Sequence, residues 1–291
     1  MWTQIAQHIS QVTQQEFRIK NRRSINGGCT SQCYSLIGDN ITYFVKINRA
    51  AKAKMFVAEV LNLKHILDTK SIRVPKAICW GIAENISYIV LEWIEFSRVT
   101  NQSWKEMGRK LGLMHYHQGA DQFGWKHNNM IGSIPQINIW TDNWANFFAE
   151  HRIGYQLKLT KRCEIDFPER TQVVEMVRKL LSDRKPKPSL VHGDLWSGNT
   201  AATTEKEPVI LDPATYYGDH EVDLAMTELF GGFPHEFYRG YNEIFSLDKG
   251  YQKRKIIYNL YHILNHFNLF GNGYGYQAKQ IIKMILAGTL Q

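Results

Sequence analysis

Cysteine is scarce in this sequence, and the spacing of the cysteines excludes two kinds of cross-linked fold. Four cysteines occur among 291 residues, at positions 29, 33, 79 and 163, and no two of them form a C-x-x-C pair. Disulfide frameworks and structural zinc sites need paired cysteines at short, regular spacings. We therefore expect neither of them, and a reduced, cytoplasmic setting fits this cysteine usage best.

Long apolar runs and long basic runs are missing as well. No stretch reaches the roughly 18 apolar residues that a membrane-spanning helix requires, and MWTQIAQHISQVTQQEF lacks the basic and apolar regions of a secretory signal. The formal net charge is +8, but the longest basic runs, RIKNRRS and RKPK, are short and contain no interleaved aromatic residues. We expect no membrane partner and no nucleic-acid partner, whereas a phosphorylated small molecule would suit the positive charge.

Two signatures of nucleotide-binding proteins are also missing. The sequence has no G-x-x-x-x-G-K-[ST], which excludes an ATPase of the Walker type. It has neither D-F-G nor A-P-E, which protein kinases carry. The length and the 44% of hydrophobic residues nevertheless describe a chain that can bury a large core in one or two domains.

The first part of the chain has the pattern of a small β-rich lobe. Residues 24–48 read as three strands separated by glycine and asparagine turns, and residues 77–94 read as two more strands around an AEN turn. Residues 51–67 between them have apolar residues at helical spacing. The pattern predicts a five-stranded antiparallel sheet with one inserted helix, in an N-terminal nucleotide-binding domain of residues 1–94.

After residue 95 the pattern changes to long helices. Helical periodicity is clearest over residues 170–183 and 255–270, and one short β pair surrounds the stretch LVHGDLWSGNT. The pattern predicts a larger, mainly helical domain of residues 95–291 that carries the catalytic loop and the substrate site. The whole chain is predicted to have a bilobal α+β fold.

A lysine and a glutamate in the first lobe have the spacing of a kinase nucleotide site. Lys46 lies in the predicted third strand, and Glu59 lies in the helix that follows. In kinases a strand lysine engages the α and β phosphates, and a helix glutamate orients that lysine. The NGGCTS turn could present backbone amides to phosphates, because Gly27 and Gly28 tolerate unusual dihedral angles. A hairpin turn carries glycines routinely, so these two residues alone decide nothing.

The stretch LVHGDLWSGNT is more specific. It matches the kinase catalytic-loop pattern H-R-D-L-x-x-x-N at every fixed position but the arginine, which is Gly193 here. In that pattern Asp194 accepts the proton of the attacking hydroxyl, and Asn199 binds Mg²⁺ through its carbonyl oxygen. Asp212 ends the apolar run PVILD and could bind the metal that bridges the nucleotide phosphates. The missing arginine and the missing D-F-G indicate a kinase of small molecules rather than of proteins.

Several longer stretches carry a resemblance to a known family. The stretches LVHGDLWSGNT, LDPATYYGDHEVDLAMTELFGGFPHEFYRGYNE, LYHILNHFNLFG, MGRKLGLMHYH and WTDNWANFFAEHRI resemble the bacterial branch of the fructosamine kinase, or ketosamine kinase, family. The resemblance runs through nearly the whole chain. It implies a protein-kinase-like fold related to aminoglycoside phosphotransferases. It also implies that the protein uses MgATP to phosphorylate the sugar of ketosamines at the third hydroxyl, after which the product releases its amine in a deglycation repair.

The resemblance also implies roles for individual residues. Asp194 would be the catalytic base, Asn199 and Asp212 would hold Mg²⁺, and Lys46 with Glu59 would grip the ATP phosphates. Four residues in LEWI would form the hinge that binds adenine: Leu91, Glu92, Trp93 and Ile94. Four others flank the catalytic segment and could stack against or hydrogen-bond the sugar, or could pack beneath the loop: Trp196, Tyr216, Tyr217 and His220.

Two further residues have readings that the sequence leaves open. Asp223 stands at the start of a predicted helix, and it either caps the catalytic loop, which we expect from this position, or takes part in chemistry. Cys29 lies where many bacterial relatives have an acidic residue, and it is either a redox-active thiol, as in some family members, or an inert one.

Three functions remain candidates at this stage. The first is an active ketosamine kinase that acts on a small ketosamine or on a glycated protein amine. The second is another small-molecule phosphotransferase of the same fold, acting on aminoglycosides or choline. The third is a non-catalytic ATP-binding module, against which the intact Lys46, Glu59, Asp194, Asn199 and Asp212 argue.

Overall fold

The computed structural model describes residues 1–26, 31–117, 119–160, 165–271 and 273–290. The chain forms two compact units. The first unit contains Met1–Thr100 and Ala201–Asp212, and the second contains Asn101–Thr200 and Pro213–Gln291. The described helices include none that is long and apolar enough to cross a membrane.

The first unit is built on an antiparallel sheet of five strands. Its neighbours follow the order β1-β2-β3-β5-β4. The strands are β1 Asn21–Ile25, β2 Gln32–Ile37, β3 Thr42–Arg49, β4 Ala77–Ala83 and β5 Ile86–Glu92. The five-stranded antiparallel sheet predicted from the sequence is therefore confirmed.

Two helices cover this sheet because each has one apolar face. Helix α1, Trp2–Thr13, buries Ile5 and Ile9 in a cluster with Val45 and Val90 of the central strands. Helix α2, Ala53–Asp68, follows a 3₁₀ turn at Ala50–Lys52 and buries its own apolar face. The predicted inserted helix is confirmed, and Glu59 lies on the same buried face, at helical spacing from Phe56 and Leu63.

A second, smaller sheet completes the first unit. It has the order β11-β10-β6, and its strands are β6 Phe96–Ser97, β10 Thr200–Thr203 and β11 Pro208–Ile210. The amide of Ile210 donates to the carbonyl of Arg73 at 3.0 Å. This bond fixes the end of β11, which is the strand that leads to Asp212.

The second unit is mainly helical. Its helices are α3 Asn101–Tyr116, α4 Trp144–Phe147, α5 Tyr155–Thr160, α6 Arg170–Leu180, α7 Glu221–Leu229, α8 His235–Asn242, α9 Tyr251–Phe270 and α10 Gly273–Ala287. A π-helical turn, Phe148–Gly154, joins α4 to α5. The predicted helices over residues 170–183 and 255–270 correspond to α6 and α9. The α+β class is confirmed.

Two short β pairs lie among these helices. Strands β7 Asn129–Ile131 and β8 Ile134–Gln136 form a hairpin. Strands β9 Ser189–Val191 and β12 Tyr216–Gly218 pair antiparallel and bracket the segment that contains the catalytic-loop motif. The sequence predicted one β pair around this motif, and the structure adds β10 and β11 because the chain returns to the first unit between the two halves of that pair.

Candidate active site

Lys46 brings two acidic residues together in the first unit. It lies in the centre of β3, where it pairs with Cys33 of β2 and Ile89 of β5. Its Nζ atom donates to Oε1 of Glu59 on α2 at 2.8 Å and to Oδ1 of Asp212. The side chains of Lys46 and Glu59 are only 10% and 13% exposed. The predicted strand-to-helix ion pair is therefore present, and Asp212 joins it.

Burial and charge in this cluster shift the pKa values of two groups. Burial alone would lower the pKa of the Lys46 ammonium, but the carboxylates of Asp212 and Glu59 outweigh burial and raise it above its ordinary value. Burial raises the pKa of the Glu59 carboxyl, and the attraction of Lys46 only partly offsets this. Two carboxylates face one ammonium, so the cluster has a formal charge of −1, which favours an additional cation.

Asp212 has a backbone conformation that side chains rarely adopt. Its φ angle is +53°, in the left-handed region, and its side chain is 53% exposed. A conformation of this kind costs about 1–3 kcal/mol and persists where the surrounding structure enforces it, often at functional sites. The turn after β11 thus directs a half-exposed carboxylate toward Lys46 at an energetic cost.

The catalytic loop in the second unit requires glycine at position 193. The φ angle of Gly193 is +81°, and a β-carbon placed there would lie 2.3 Å from the carbonyl oxygen of Ala214. Both the left-handed conformation and the close approach exclude any other residue. The glycine in place of the arginine of protein kinases is therefore a steric requirement of this loop.

Asp194 and Asn199 meet on the same loop. Asn199 ends a 3₁₀ turn, Ser197–Asn199, and its Nδ2 donates to the carbonyl of Asp194 at 2.8 Å and to Oδ2 of Asp194 at 3.4 Å. Nδ1 of His192 accepts a bond from the Asp194 amide at 3.2 Å, so His192 serves as scaffold. The amide nitrogen of Asn199 is thus used within the protein, and its oxygen is the atom suited to a cation.

Asp223 holds the loop from the first turn of α7. Its Oδ2 accepts from the amide of His192 at 2.6 Å, and its Oδ1 accepts from the amide of Gly193 at 2.8 Å. Burial alone would raise the pKa of the Asp223 carboxyl, but the hydrogen bonds that it accepts, first of all the one from His115, outweigh burial and lower the pKa. Asp223 caps the loop, as its position in the sequence predicted.

The four predicted substrate residues occupy two kinds of environment. Tyr216 is buried under the guanidinium of Arg152, whose Cζ lies 4.0 Å from the ring centroid, and His220 is also buried. Trp196 is 36% exposed and lies against Gly198, while Tyr217 is half-buried and stacks on the exposed Trp140. Trp196 and Tyr217 can therefore reach a ligand, whereas Tyr216 and His220 pack beneath the loop.

The predicted hinge lies at the end of β5. Leu91 is buried and pairs with Phe44, and Glu92 is the last residue of the strand. The Glu92 carboxylate accepts from the amide of Lys76 at 3.0 Å. Trp93 and Ile94 follow the strand, with Trp93 exposed and Ile94 half-buried.

The glycine turn cannot be placed in the same way. Gly27, Gly28 and Cys29 lie outside the described residues, and so does Cys163. Cys33 and Cys79 are buried free thiols. Burial raises the pKa of both of these thiols, to about 12 for Cys79.

Sequence reasoning missed two residues near the loop. His115 bonds to Asp223, and Tyr241 bonds to His115. They come from α3 and α8, more than a hundred residues apart in sequence, so no local spacing could have indicated the contact.

The available donors suit Mg²⁺. This ion prefers one or two carboxylates together with other oxygen ligands, and water and phosphate oxygens normally complete its coordination shell. Asp212 offers a half-exposed carboxylate beside a cluster with excess negative charge. Asn199 offers an amide oxygen on a loop that its own nitrogen anchors. The chemistry of these two side chains therefore fits the metal of a phosphotransferase.

Comparison with solved structures supports the protein-kinase-like fold. A crystal structure of a proposed fructosamine-3-kinase from Haemophilus somnus has a TM-score of 0.94 at 34% identity, covering 98% of each chain. A choline kinase from Streptococcus pneumoniae has a TM-score of 0.64 at 18% identity, covering 99% of each chain. The second likeness concerns the fold alone.

Comparison with known sequences identifies the family. A probable ketoamine kinase of Synechocystis sp. is 58% identical over 285 residues, covering 98% of this chain and 97% of its own. The chloroplastic protein-ribulosamine 3-kinase of Oryza sativa is 42% identical over 272 residues, covering 91% of this chain and 78% of its own. The profile named "Fructosamine kinase" matches residues 1–288. The chain therefore belongs to the fructosamine kinase family.

Proposed function

We propose that this protein is an ATP-dependent kinase that phosphorylates the sugar of ketosamines. The observation that carries the proposal is the loop on which Asp194 and Asn199 meet, fixed by Asp223 through two backbone amides. Family membership supports the substrate class, because relatives that are 58% and 42% identical are named ketoamine kinase and protein-ribulosamine 3-kinase. The latter name supports the third hydroxyl of the sugar as the acceptor.

In the proposed reaction, Asp194 accepts the proton of the sugar hydroxyl. The hydroxyl oxygen then forms a bond to the γ-phosphorus of ATP, the bond from that phosphorus to the bridging oxygen breaks, and ADP leaves. A general base of this kind contributes about 10²–10⁴-fold to the rate. The bond from Asn199 to the Asp194 carboxylate would keep the base in one orientation.

The residues of the first unit would bind the nucleotide. Lys46 would turn from Asp212 to the α and β phosphates and would remain oriented by Glu59. Gly27 and Gly28 would present backbone amides to the phosphates. The segment from Leu91 to Ile94 would contact adenine.

Asn199 and Asp212 would hold Mg²⁺, which neutralises the charge on the phosphates when it is bound. Release of Lys46 from Asp212 frees that carboxylate for the cation and the ammonium for the phosphates. The same exchange would therefore prepare both groups.

On the substrate side, Trp196 and Tyr217 would contact the sugar because both keep part of their rings exposed. Tyr216 and His220 would shape the loop from below. The substrate would be a small ketosamine or a glycated amine of a protein. After phosphorylation the sugar would leave the amine, and this release would repair the glycated amine.

A substrate screen tests the proposal against its alternatives. Purified protein is given MgATP with fructosyl-lysine, ribulosyl-lysine, kanamycin or choline, and ADP release is measured beside Asp194→Ala as the blank. We expect turnover with one or both ketosamines. Turnover with kanamycin or choline alone would indicate another phosphotransferase of this fold. A protein that binds ATP and turns over none of the four would be a binding module.

A further inference from the structure

A chain of hydrogen bonds, buried in all but its first link, leads to the carboxylate that holds the catalytic loop. It begins at Arg184 and ends at Asp223. The links are Arg184 Nη2 to His220 Nε2 at 3.3 Å, His220 Nδ1 to Tyr241 Oη at 2.9 Å, Tyr241 Oη to His115 Nδ1 at 2.8 Å, and His115 Nε2 to Asp223 Oδ2 at 3.0 Å. His115, His220, Tyr241 and Asp223 are all buried.

Each link joins different elements of the second unit. His115 lies at the end of α3, His220 directly precedes α7, and Tyr241 lies in α8. Arg184 precedes β9 and is itself fixed by two bonds to Asp219, at 2.7 and 2.9 Å, and by one to Asp248 at 2.7 Å. The chain therefore connects the catalytic loop to much of the surrounding fold.

The Arg184 end of the chain determines which atom of each hydrogen-bonded pair is the donor. A guanidinium can only donate hydrogen bonds, so Nε2 of His220 must be the acceptor. The proton of a neutral His220 then lies on Nδ1 and is donated to the oxygen of Tyr241. Burial lowers the pKa of His220 to about 4, which is consistent with a neutral ring.

The Asp223 end fixes the same direction independently. An ionised carboxylate can only accept, so Nε2 of His115 must carry the proton that it shares with Asp223. In a neutral His115 ring, Nδ1 then accepts the hydroxyl proton of Tyr241. Both ends give one proton order, in which every donor in the chain has an acceptor and the two histidines are opposite tautomers.

We propose that His115 and Tyr241 are positioning residues for the phosphoryl transfer. The fixed order of donors and acceptors in this chain orients the Asp223 carboxylate toward the amides of His192 and Gly193, and these two amides fix the orientation of the loop that carries Asp194. The functional part of this inference rests on the proposed kinase activity. The part that concerns proton order does not.

The physical reason lies in the three bonds that Asp223 accepts. Its carboxylate is buried and accepts from His115 and from the amides of His192 and Gly193. Without the bond from His115, a buried carboxylate loses a charge-assisted donor and its pKa rises. The carboxylate would then be held only by the two loop amides, and the loop that carries Asp194 would lose its fixed orientation.

Nitrogen-15 NMR of the imidazole rings tests the proton order in the wild-type protein. The two neutral tautomers of histidine differ in the chemical shifts of Nδ1 and Nε2, and the His115 and His220 signals are assigned by their loss in His115→Gln and His220→Gln. We expect the Nε2–H tautomer for His115 and the Nδ1–H tautomer for His220. The same tautomer at both positions, or a positively charged His115 near neutral pH, would overturn the proposed order.

Kinetics of a matched pair of tyrosine variants test the positioning role. Tyr241→Phe removes the hydroxyl that links His220 to His115, whereas Tyr238→Phe on the same helix removes a hydroxyl that bonds to Thr227, a residue outside this chain of hydrogen bonds, at 3.0 Å. For Tyr241→Phe we expect kcat to fall about tenfold with the KM for ATP unchanged, and for Tyr238→Phe less than about twofold. Equal effects of the two variants would contradict the role.

Conservative replacement of His115 separates positioning from packing. The amide nitrogen of glutamine can occupy the place of Nε2, so His115→Gln should keep kcat within about threefold of wild type, while His115→Ala should lower it about 30-fold. Equal losses in both variants would count against the role of the Nε2 proton. If the wild-type protein turned over no ketosamine, the proposed function would fail, and the NMR result would still decide the proton order.

Discussion

The two units hold their functional side chains in different ways. In the first unit, Glu59 and Asp212 both bond directly to Lys46, so the functional groups fix one another through this ammonium. In the second unit, the Asp194 loop is fixed through its backbone by Asp223, which has no proposed contact with substrate. The first arrangement can exchange partners when a nucleotide arrives. The second has no need to move, and this suits a base that must meet its substrate in one geometry.

The difference also concerns how strongly each arrangement depends on single residues. Removing one partner of a buried ion pair leaves an uncompensated charge. In the Lys46 cluster, the ammonium keeps the second carboxylate as a partner when the first is removed. The loop amides of His192 and Gly193 share the single carboxylate of Asp223. Mutations in the two units should therefore affect binding and chemistry separately.

The largest effect is expected for Asp194→Ala. Removal of the base should lower kcat about 10³-fold and leave nucleotide affinity unchanged, because the base acts on the acceptor hydroxyl. Single-turnover kinetics and calorimetric titration with ADP measure the two quantities, and Asp194→Asn is the isosteric companion. A variant with normal turnover would refute the assignment of the base.

The next effect is expected for Asp212→Asn. Asparagine also tolerates the left-handed conformation, so this change removes charge with little backbone cost. We expect turnover to fall about 10²-fold. We also expect that Mg²⁺, which strengthens ADP binding to the wild-type protein, no longer strengthens it in the variant. Asp39→Asn, at an exposed ion pair with Lys20 in the same unit, is the control. If Mg²⁺ still strengthened ADP binding in Asp212→Asn as it does in wild type, Asp212 would not be a metal ligand.

A smaller effect should follow Glu59→Gln. The lysine keeps Asp212 as a partner but loses the group that would orient it toward phosphate, so we expect the KM for ATP to rise about tenfold. The same change at Glu16, which is 70% exposed and pairs with Arg18, should have no effect. Initial rates over a range of ATP concentrations give the comparison. An unchanged KM would show that the buried pair is structural.

The smallest effect is expected for Trp196→Ala. If the exposed part of this ring contacts the sugar, the KM for the ketosamine should rise about fivefold while the KM for ATP stays constant. Trp80→Ala, at a similarly exposed tryptophan of β4 in the first unit, is the matched control. A rise in both KM values, or in neither, would remove Trp196 from the substrate site.

Local pattern predicted much of this molecule because local chemistry determines much of it. Alternating apolar residues and turn residues predicted the five strands, and the spacing from Lys46 to Glu59 predicted a strand-to-helix ion pair that is present at 2.8 Å. The sequence could not predict that Asp212 bonds to Lys46 across 166 residues. It also could not decide that Tyr216 and His220 are buried while Trp196 is not, since burial depends on packing between distant helices.

The contact between Gly193 and the carbonyl of Ala214 has a consequence for engineering. An arginine could be introduced at this position to make the enzyme respond to phosphorylation by another kinase. Its side chain would collide with the main chain of Ala214, which cannot rotate away as a side chain can. A designer would first have to rebuild the turn that follows Asp212. Random libraries that cover this loop should accordingly return glycine at position 193 in every active clone.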